Sequence, residues 1–215
     1  MLRDDILKSA KLADGSGFNT ALHELAQCGF IRKYISIGKK NKLSTYQLID
    51  NYTLFYYDFI QHNVNGDERF WTSQLDTTIH HGWAGRAFER VCIQHIPQIK
   101  SVLGFAGVIS SAHSWVYKVP KDSGEDKANT TGVQIDLLID RNDQTINLCE
   151  MKYSSAPYTL TAEEDMRIRN RKATFIRETG TTKSVMVTMI TTYGLTPGGY
   201  SNDVPCQVTM NDLFK

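Results

Sequence analysis

Three acids and a lysine are the residues of this chain best placed to do chemistry together. Asp136 interrupts the apolar run Val133-Gln134-Ile135-Asp136-Leu137-Leu138-Ile139. Glu150 and Lys152 stand two apart at the end of a second apolar run, 145–152. Glu89 closes the segment Gly85-Arg86-Ala87-Phe88-Glu89. Residues two apart on a strand share a face, so Glu150 and Lys152 point the same way, beside Asp136 once the two runs pair. Carboxylate oxygens hold Mg²⁺, which keeps several of its waters. Such a metal acidifies a water and stabilises charge on a phosphoryl oxygen. A neighbouring lysine orients that water and offsets phosphate charge in the transition state. The chemistry this suggests is phosphodiester hydrolysis. A lone Glu-x-Lys is ordinarily a surface ion pair. Here it is joined by an acid-bearing strand, a tight turn and a following helix that carries Arg167, Arg169 and Arg171.

These residues need a sheet and helices to position them. The run 133–139 reads as a strand, Arg141-Asn142-Asp143-Gln144 as a tight turn, and 145–152 as its antiparallel partner. Residues 161–179 read as a helix, with Thr161 as N-cap and Glu163, Glu164 and Asp165 in the first turn, where the dipole favours acids. The helix stops at Gly180, and the β-branched run 183–191 follows as a strand. Residues 207–213 add a short terminal element. Upstream, 82–100 has the buried face of one helix, marked by Trp83, Phe88, Val91, Cys92, Ile96 and Ile99, with Pro97 expected to disturb its last turn. Trp115, Tyr117 and Val119 alternate as in a strand. The polar stretch 121–132 has no capacity to bury a core. Residues 67–215 therefore form an α/β layered domain.

The first part, 1–62, reads as a smaller module. Leu2, Ile6 and Leu7 give a short helical stripe, broken by Asp14-Gly15-Ser16-Gly17. Phe18, Leu22, Leu25 and Ala26 follow at helical spacing until Gly29. Ile31, Lys33, Ile35 and Ile37 share one parity, and Tyr46 and Leu48 share one on the return, so a β-hairpin is expected with a basic tip at Lys39, Lys40 and Lys42. Helix, helix, basic hairpin is the order of a winged helix-turn-helix. Such a module lays its second helix in the major groove and its wing on phosphates. A protein-interaction or hinge module has the same shape. A full winged helix needs one more helix in front, so the module is expected to be partial. Residues 51–62 are an aromatic connector, with Leu54, Phe55, Tyr57, Phe59 and Ile60 covering much of a helix.

At these residues the chain resembles a known group. Gly85 to Glu89, the Ile135-Asp136-Leu137-Leu138-Ile139-Asp140 run and Cys149-Glu150-Met151-Lys152 look like the signature of the PD-(D/E)XK nuclease superfamily. That superfamily's core also runs helix, three-stranded meander, helix, strand. More narrowly, nearly the whole chain resembles the C-terminal region of a family of prokaryotic AAA-type ATPases, in which a winged helix and a nuclease-like domain follow the ATPase. The resemblance implies a restriction-endonuclease-like core, a mixed sheet flanked by helices, behind a partial winged helix. It implies Asp136 as the central metal ligand, Glu150 as the second, the Met151 backbone carbonyl as a third, Lys152 as the catalytic lysine and Glu89 as an assisting acid. Gln134 is expected to line the site, and Arg167 and Arg171 to meet DNA beside the hairpin lysines. The implied cofactor is Mg²⁺ or Mn²⁺, and the implied partners are DNA and an ATPase module in cis or in trans. No Pro-Asp dipeptide precedes the motif; Ile135 stands there instead. No G-x-x-x-x-G-K-[ST] occurs, so no P-loop binds ATP here. The chain is then expected to be either part of a longer ATPase or a stand-alone remnant, and the missing first helix favours a fragment or a truncated reading frame. Two other classes stay open: a non-catalytic DNA- or protein-binding platform for such an ATPase, and a winged-helix transcriptional regulator.

Composition limits the remaining choices. With 41% hydrophobic and 22% charged residues in 215, wholesale disorder is excluded. A net charge of +1 excludes a polycation but allows a local basic patch. Cys28, Cys92, Cys149 and Cys206 are too dispersed for zinc or a disulfide framework and are expected to be buried thiols. No apolar run reaches the ~18 residues of a membrane span, and the start lacks a secretory signal, so a cytoplasmic chain is expected, with self-association allowed. Two other features invite attention. His80 and His81 are adjacent, about 100° apart on a helix, so one ion is not expected to take both. Ser110, Ser111 and His113 lack the G-x-S-x-G elbow of a hydrolase.

Overall fold

The computed structural model describes residues 1–34, 45–75, 77–117 and 132–215. Its contacts divide the chain into two units, Met1–Arg90 and Val91–Lys215.

The first unit opens with helices α1 (Arg3–Ala10) and α2 (Ser16–Gln27). Asp4 and Asp5 occupy the favourable first turn of α1, and Lys11 ends it in the left-handed region. Arg3 ties the two helices together, bonded to Asp14 and Asn19 and lying over the Phe18 ring. After α2 the chain turns at Gly29, whose φ of +77° suits a residue without a Cβ. Strands β1 (Ile31–Tyr34) and β2 (Thr45–Leu48) then pair antiparallel, Ile31 against Leu48. Leu2 bridges to Thr45 and adds a third short edge. Two helices followed by an antiparallel hairpin is the expected order; the tip lysines Lys39, Lys40 and Lys42 lie outside the described residues. Asp50 caps α3 (Asn51–Asp58) by accepting from the Thr53 amide at 2.6 Å. The connector aromatics then meet Trp71 and Trp83 edge to face, with Phe55, Phe59 and both tryptophans within about 6 Å of one another. Residues 51–62 are thus more than a spacer: they supply much of this unit's apolar packing.

One helix was expected over 82–100; two are found. α4 (Thr78–Gln94) ends, and α5 (Ile96–Val102) begins with Pro97 in its first turn. Proline has no N–H to bond back into α4, but in a first turn that N–H has no helical partner anyway. The break therefore falls before Pro97 rather than after it.

The second unit is built on a five-stranded mixed sheet in the order β3-β4-β5-β6-β7. β3 (Ser110–Tyr117), β4 (Val133–Arg141) and β5 (Thr145–Lys152) form an antiparallel meander. β6 (Ser184–Thr191) runs parallel to β5, which requires a crossover, and α6 (Ala162–Thr179) supplies it. β7 (Cys206–Thr209) lies parallel to β6 and leads into a 3₁₀ turn, Met210–Phe214. The β4–β5 turn closes with Gln144 at φ +62°, the left-handed residue that such a short hairpin needs.

α6 covers one face of the sheet. Its Ile168 packs on Met189 and Leu160, and its Phe175 meets Trp115 edge to face at 5.3 Å. Leu138 and Leu148, opposed across the β4–β5 ladder, are fully buried on this side. Leu137 and Cys149, also opposed, are buried on the other, where Cys92 lies close enough to act on Cys149. A sheet buried on both faces reads as near-continuous apolar sequence, which is why 133–139 and 145–152 do. The thiols divide differently from expectation: Cys92 and Cys149 are buried, Cys206 is half-buried and Cys28 is exposed. Cys28 lies just past the end of α2, on a module too small to enclose it. Among the described residues no helix is long and apolar enough to cross a membrane.

Candidate functional site

Strand β5 presents Glu150 and Lys152 to the face that α6 covers. Met151 between them points to the opposite face and is buried there, so only its backbone is available to this side. Glu150 is 9% exposed, and its carboxylate takes a cation on each oxygen. Lys152 Nζ lies 2.9 Å from Oε1. Arg171 Nη1 donates to Oε2 at 2.5 Å. Burial of a carboxylate is tolerated when charges and hydrogen bonds compensate it in this way.

Arg171 reaches Glu150 because it shares the inward stripe of α6 with Ile168 and Phe175, three residues after one and four before the other. Its neighbours behave as a solvated helix surface instead. Arg167 pairs with Glu163 at 3.1 Å, and Arg169 with Asp165 at 2.7 Å. The first turn of α6 adds a further acid. Glu164 closes the capping box with Thr161 and accepts from the Tyr158 hydroxyl. Burial pushes the Glu164 carboxyl up, but the bonds from Tyr158 and Thr161 and the nearby Lys152 charge outweigh it and hold it below its usual value. Tyr158 moves the other way: burial, its bond to Glu164 and the charges of Glu164 and Glu150 push its hydroxyl above its usual value. Glu150, Lys152, Glu164, Arg167, Ile168 and Arg171 line a half-open cleft with about 10 Å³ of inner space.

Asp136 stands on the neighbouring strand, just beyond its last pair with β5. The β4–β5 ladder runs from Asp140↔Ile146 to Leu137↔Cys149 and stops one step short of Asp136 and Glu150. On the other side β4 is irregular. Trp115 pairs with Ile135 and His113 with Leu138, so Ser114 alone spans the length that Asp136 and Leu137 fill. β4 thus carries an extra residue at Asp136, a bulge of the kind that ends pairing and re-aims a side chain. The Asp136 carboxylate accepts from Gln134 Nε2 at 2.7 Å.

The structure therefore gathers Glu150, Lys152, Arg167 and Arg171, while Asp136 is bonded to Gln134 on β4 and does not line their cleft. Glu89 lies on the α4 stretch of the first unit, next to the buried Arg90, whose Nε donates to Asn51 at 2.7 Å. Residue-type reasoning missed Glu164, Tyr158 and the inward role of Arg171. The 168/171/175 spacing carried the last of these; nothing short of the β5–α6 connection places Tyr158. The other candidates resolve simply. His80 stacks in the aromatic group at 4.8 Å from Trp71, and Ser111 bonds His113 Nε2 at 2.8 Å along β3.

A hard divalent cation takes one or two carboxylates, a carbonyl and several waters. Asp136, Glu150 and the Met151 carbonyl are donors of that class. Among the described residues no group of three or more His, Cys, Asp and Glu side chains is poised for a metal. To join such a set Glu150 would have to leave both Lys152 and Arg171. Compared with protein-family models, curated proteins and solved structures, the chain matches none of them.

Proposed function

We propose that this chain is a Mg²⁺-dependent deoxyribonuclease with a PD-(D/E)XK-type site and a partial winged helix before it. One observation carries the reading. The β4–β5 ladder ends one residue short of both Asp136 and Glu150, with an irregularity in β4 at Asp136 and with Lys152 bonded to Glu150 on the α6 face. The order of helix, antiparallel meander, crossover helix and parallel strand supports it.

Asp136 and Glu150 would hold the ion with the Met151 carbonyl, and Gln134 bonds the Asp136 carboxylate. Bound there, Mg²⁺ would supply Lewis-acid stabilisation of phosphoryl charge and a more acidic water. Lys152 orients the attacking water and offsets charge on the phosphate. Arg167 and Arg171 contact backbone phosphates of the DNA, together with the hairpin lysines Lys39, Lys40 and Lys42. Hydrolysis adds water across one phosphorus–oxygen ester bond, leaving a phosphomonoester and a hydroxyl. Glu89 is the assisting acid, and an ATPase module in cis or in trans is the proposed partner.

The test is cleavage of supercoiled plasmid and single-stranded DNA with Mg²⁺ or Mn²⁺. Wild type is expected to cut only with metal, and Asp136→Ala and Lys152→Ala to lose at least about a hundredfold in rate. Cutting that persists in both variants would refute the site.

A second reading draws on the ion pairs. Glu150 bound by both Lys152 and Arg171 is also what a structural network looks like, and a non-catalytic platform for an ATPase would keep it. That reading expects metal-independent DNA binding and no cutting by wild type.

A further inference from the structure

Asp165, Ile168, Arg169 and Lys172 share one stripe of α6, because residues three, four and seven apart fall on the same side of a helix. Between that stripe and the start of β6 lies a half-open cavity of about 330 Å³. The sheet explains the gap. β7 pairs with β6 only from Cys206, opposite Thr188. One step further back Pro205 would stand opposite Val187, and proline has no N–H to give a ladder. β7 therefore starts late and leaves a notch beside Ser184–Val187. Leu160, Ile168, Val187 and Val204 give the notch an apolar floor, continuous with the core at Met189.

Charge at the rim is uneven. Asp165 is answered by Arg169 at 2.7 Å. The other arginines of α6 are paired as well, Arg167 with Glu163, Arg171 with Glu150 and Arg177 with Glu178. Lys172, half-buried at the cavity, has no acid or hydrogen-bond partner among the described residues. A lysine stem can cover apolar surface simply to pack it. Here the stem borders the space without filling it.

We propose that this cavity is a second binding site, for a small amphipathic carboxylate. Its apolar body would lie on the floor of the notch and its carboxylate on Lys172. One uncompensated cation matches a singly charged head, whereas a polyanion needs several. The volume stands at the lower end of small-molecule cavities, roughly 300–1,000 Å³, which suits a short chain or a single ring. The inference stands apart from the nuclease reading, since Asp136, Glu150 and Lys152 do not line this cavity.

The experiment is calorimetric titration of the full chain with octanoate and, separately, with octylammonium, the same chain with the opposite charge. Octanoate is expected to bind with a Kd of about 1 mM or tighter, and octylammonium at least about tenfold more weakly. Lys172→Gln is expected to weaken octanoate about tenfold. Arg177→Gln removes the same charge elsewhere on α6 and is expected to leave octanoate binding unchanged. Val187→Phe keeps a strand-forming residue but puts a ring into the floor, and is expected to abolish binding. The two ligands on wild type keep the test decisive if a variant does not fold. No octanoate binding by wild type up to about 10 mM would overturn the proposal. So would equal affinity for the two ligands, octanoate affinity in Lys172→Gln no lower than in Arg177→Gln, or wild-type affinity in a folded Val187→Phe.

Discussion

At the scale of single residues, what distinguishes this chain is where its charges are buried. Glu150 is held by two cations, and removing either leaves a buried carboxylate poorly compensated. Asp212 gives a simpler case. Lys215 and Thr209 bond its carboxylate and hold it down at about 2. A carboxyl lowered on folding stabilises the native state above its unfolded value near 4, and that contribution is lost as pH falls toward 2. Urea unfolding should therefore show Asp212→Asn less stable than wild type at neutral pH, with the gap closing across that acid window. The thiols report burial directly. Burial, reinforced by Cys92 and Cys206, pushes the Cys149 thiol above its ordinary range. An aromatic disulfide reagent should modify Cys28 at once, Cys206 slowly, and Cys92 and Cys149 only on unfolding. Of these particulars the sequence showed only residue types. It marked Asp136, Glu150 and Lys152 because acids and a lysine are conspicuous in apolar strands. It did not show Cys28 as exposed, since a thiol beside helical leucines looks the same whether or not anything covers it.

Among the elements, α6 matters most, because it is both the crossover that makes β6 parallel to β5 and the source of Arg171. Its N-terminus was legible from Thr161 and the acids behind it, and the structure adds the reciprocal bond from Glu164. Thr161→Ala should cost about 1 kcal/mol in unfolding free energy, a typical value for a lost cap. The cost should be larger than that of an exposed α6 change such as Arg177→Ala. Phe175, fully buried against Trp115, anchors the other end of the helix. Phe175→Ala should cost about 3–5 kcal/mol and shift the tryptophan fluorescence. The meander and β6 were legible because strands covered on both faces are written as apolar runs. The bulge at Asp136 was not, because it depends on how β3 and β5 divide the pairing of β4 between them. The break before Pro97 was misplaced by a few residues because proline is as welcome in a first turn as it is unwelcome in a last one.

At the scale of the whole molecule the chain divides into two units: helices and a β-strand pair in Met1–Arg90, and a mixed sheet carrying Asp136 and Glu150 in Val91–Lys215. In the proposed function the second unit carries Asp136, Glu150 and Lys152, and the first carries Glu89 and adds contacts to the DNA backbone. Backbone contacts raise affinity without adding reactivity, so they act on binding and on its salt dependence. Lys39→Ala combined with Lys40→Ala should weaken DNA binding and flatten its salt dependence, while saturating DNA restores the wild-type rate. The measurement that tests the central claim most directly is the single-turnover rate of DNA cleavage at saturating DNA, with and without Mg²⁺, for wild type and Asp136→Ala. The account predicts cutting by wild type that requires Mg²⁺ and disappears in Asp136→Ala while DNA is still bound. Equal rates in the two proteins, or cutting by wild type that continues in EDTA, would contradict it.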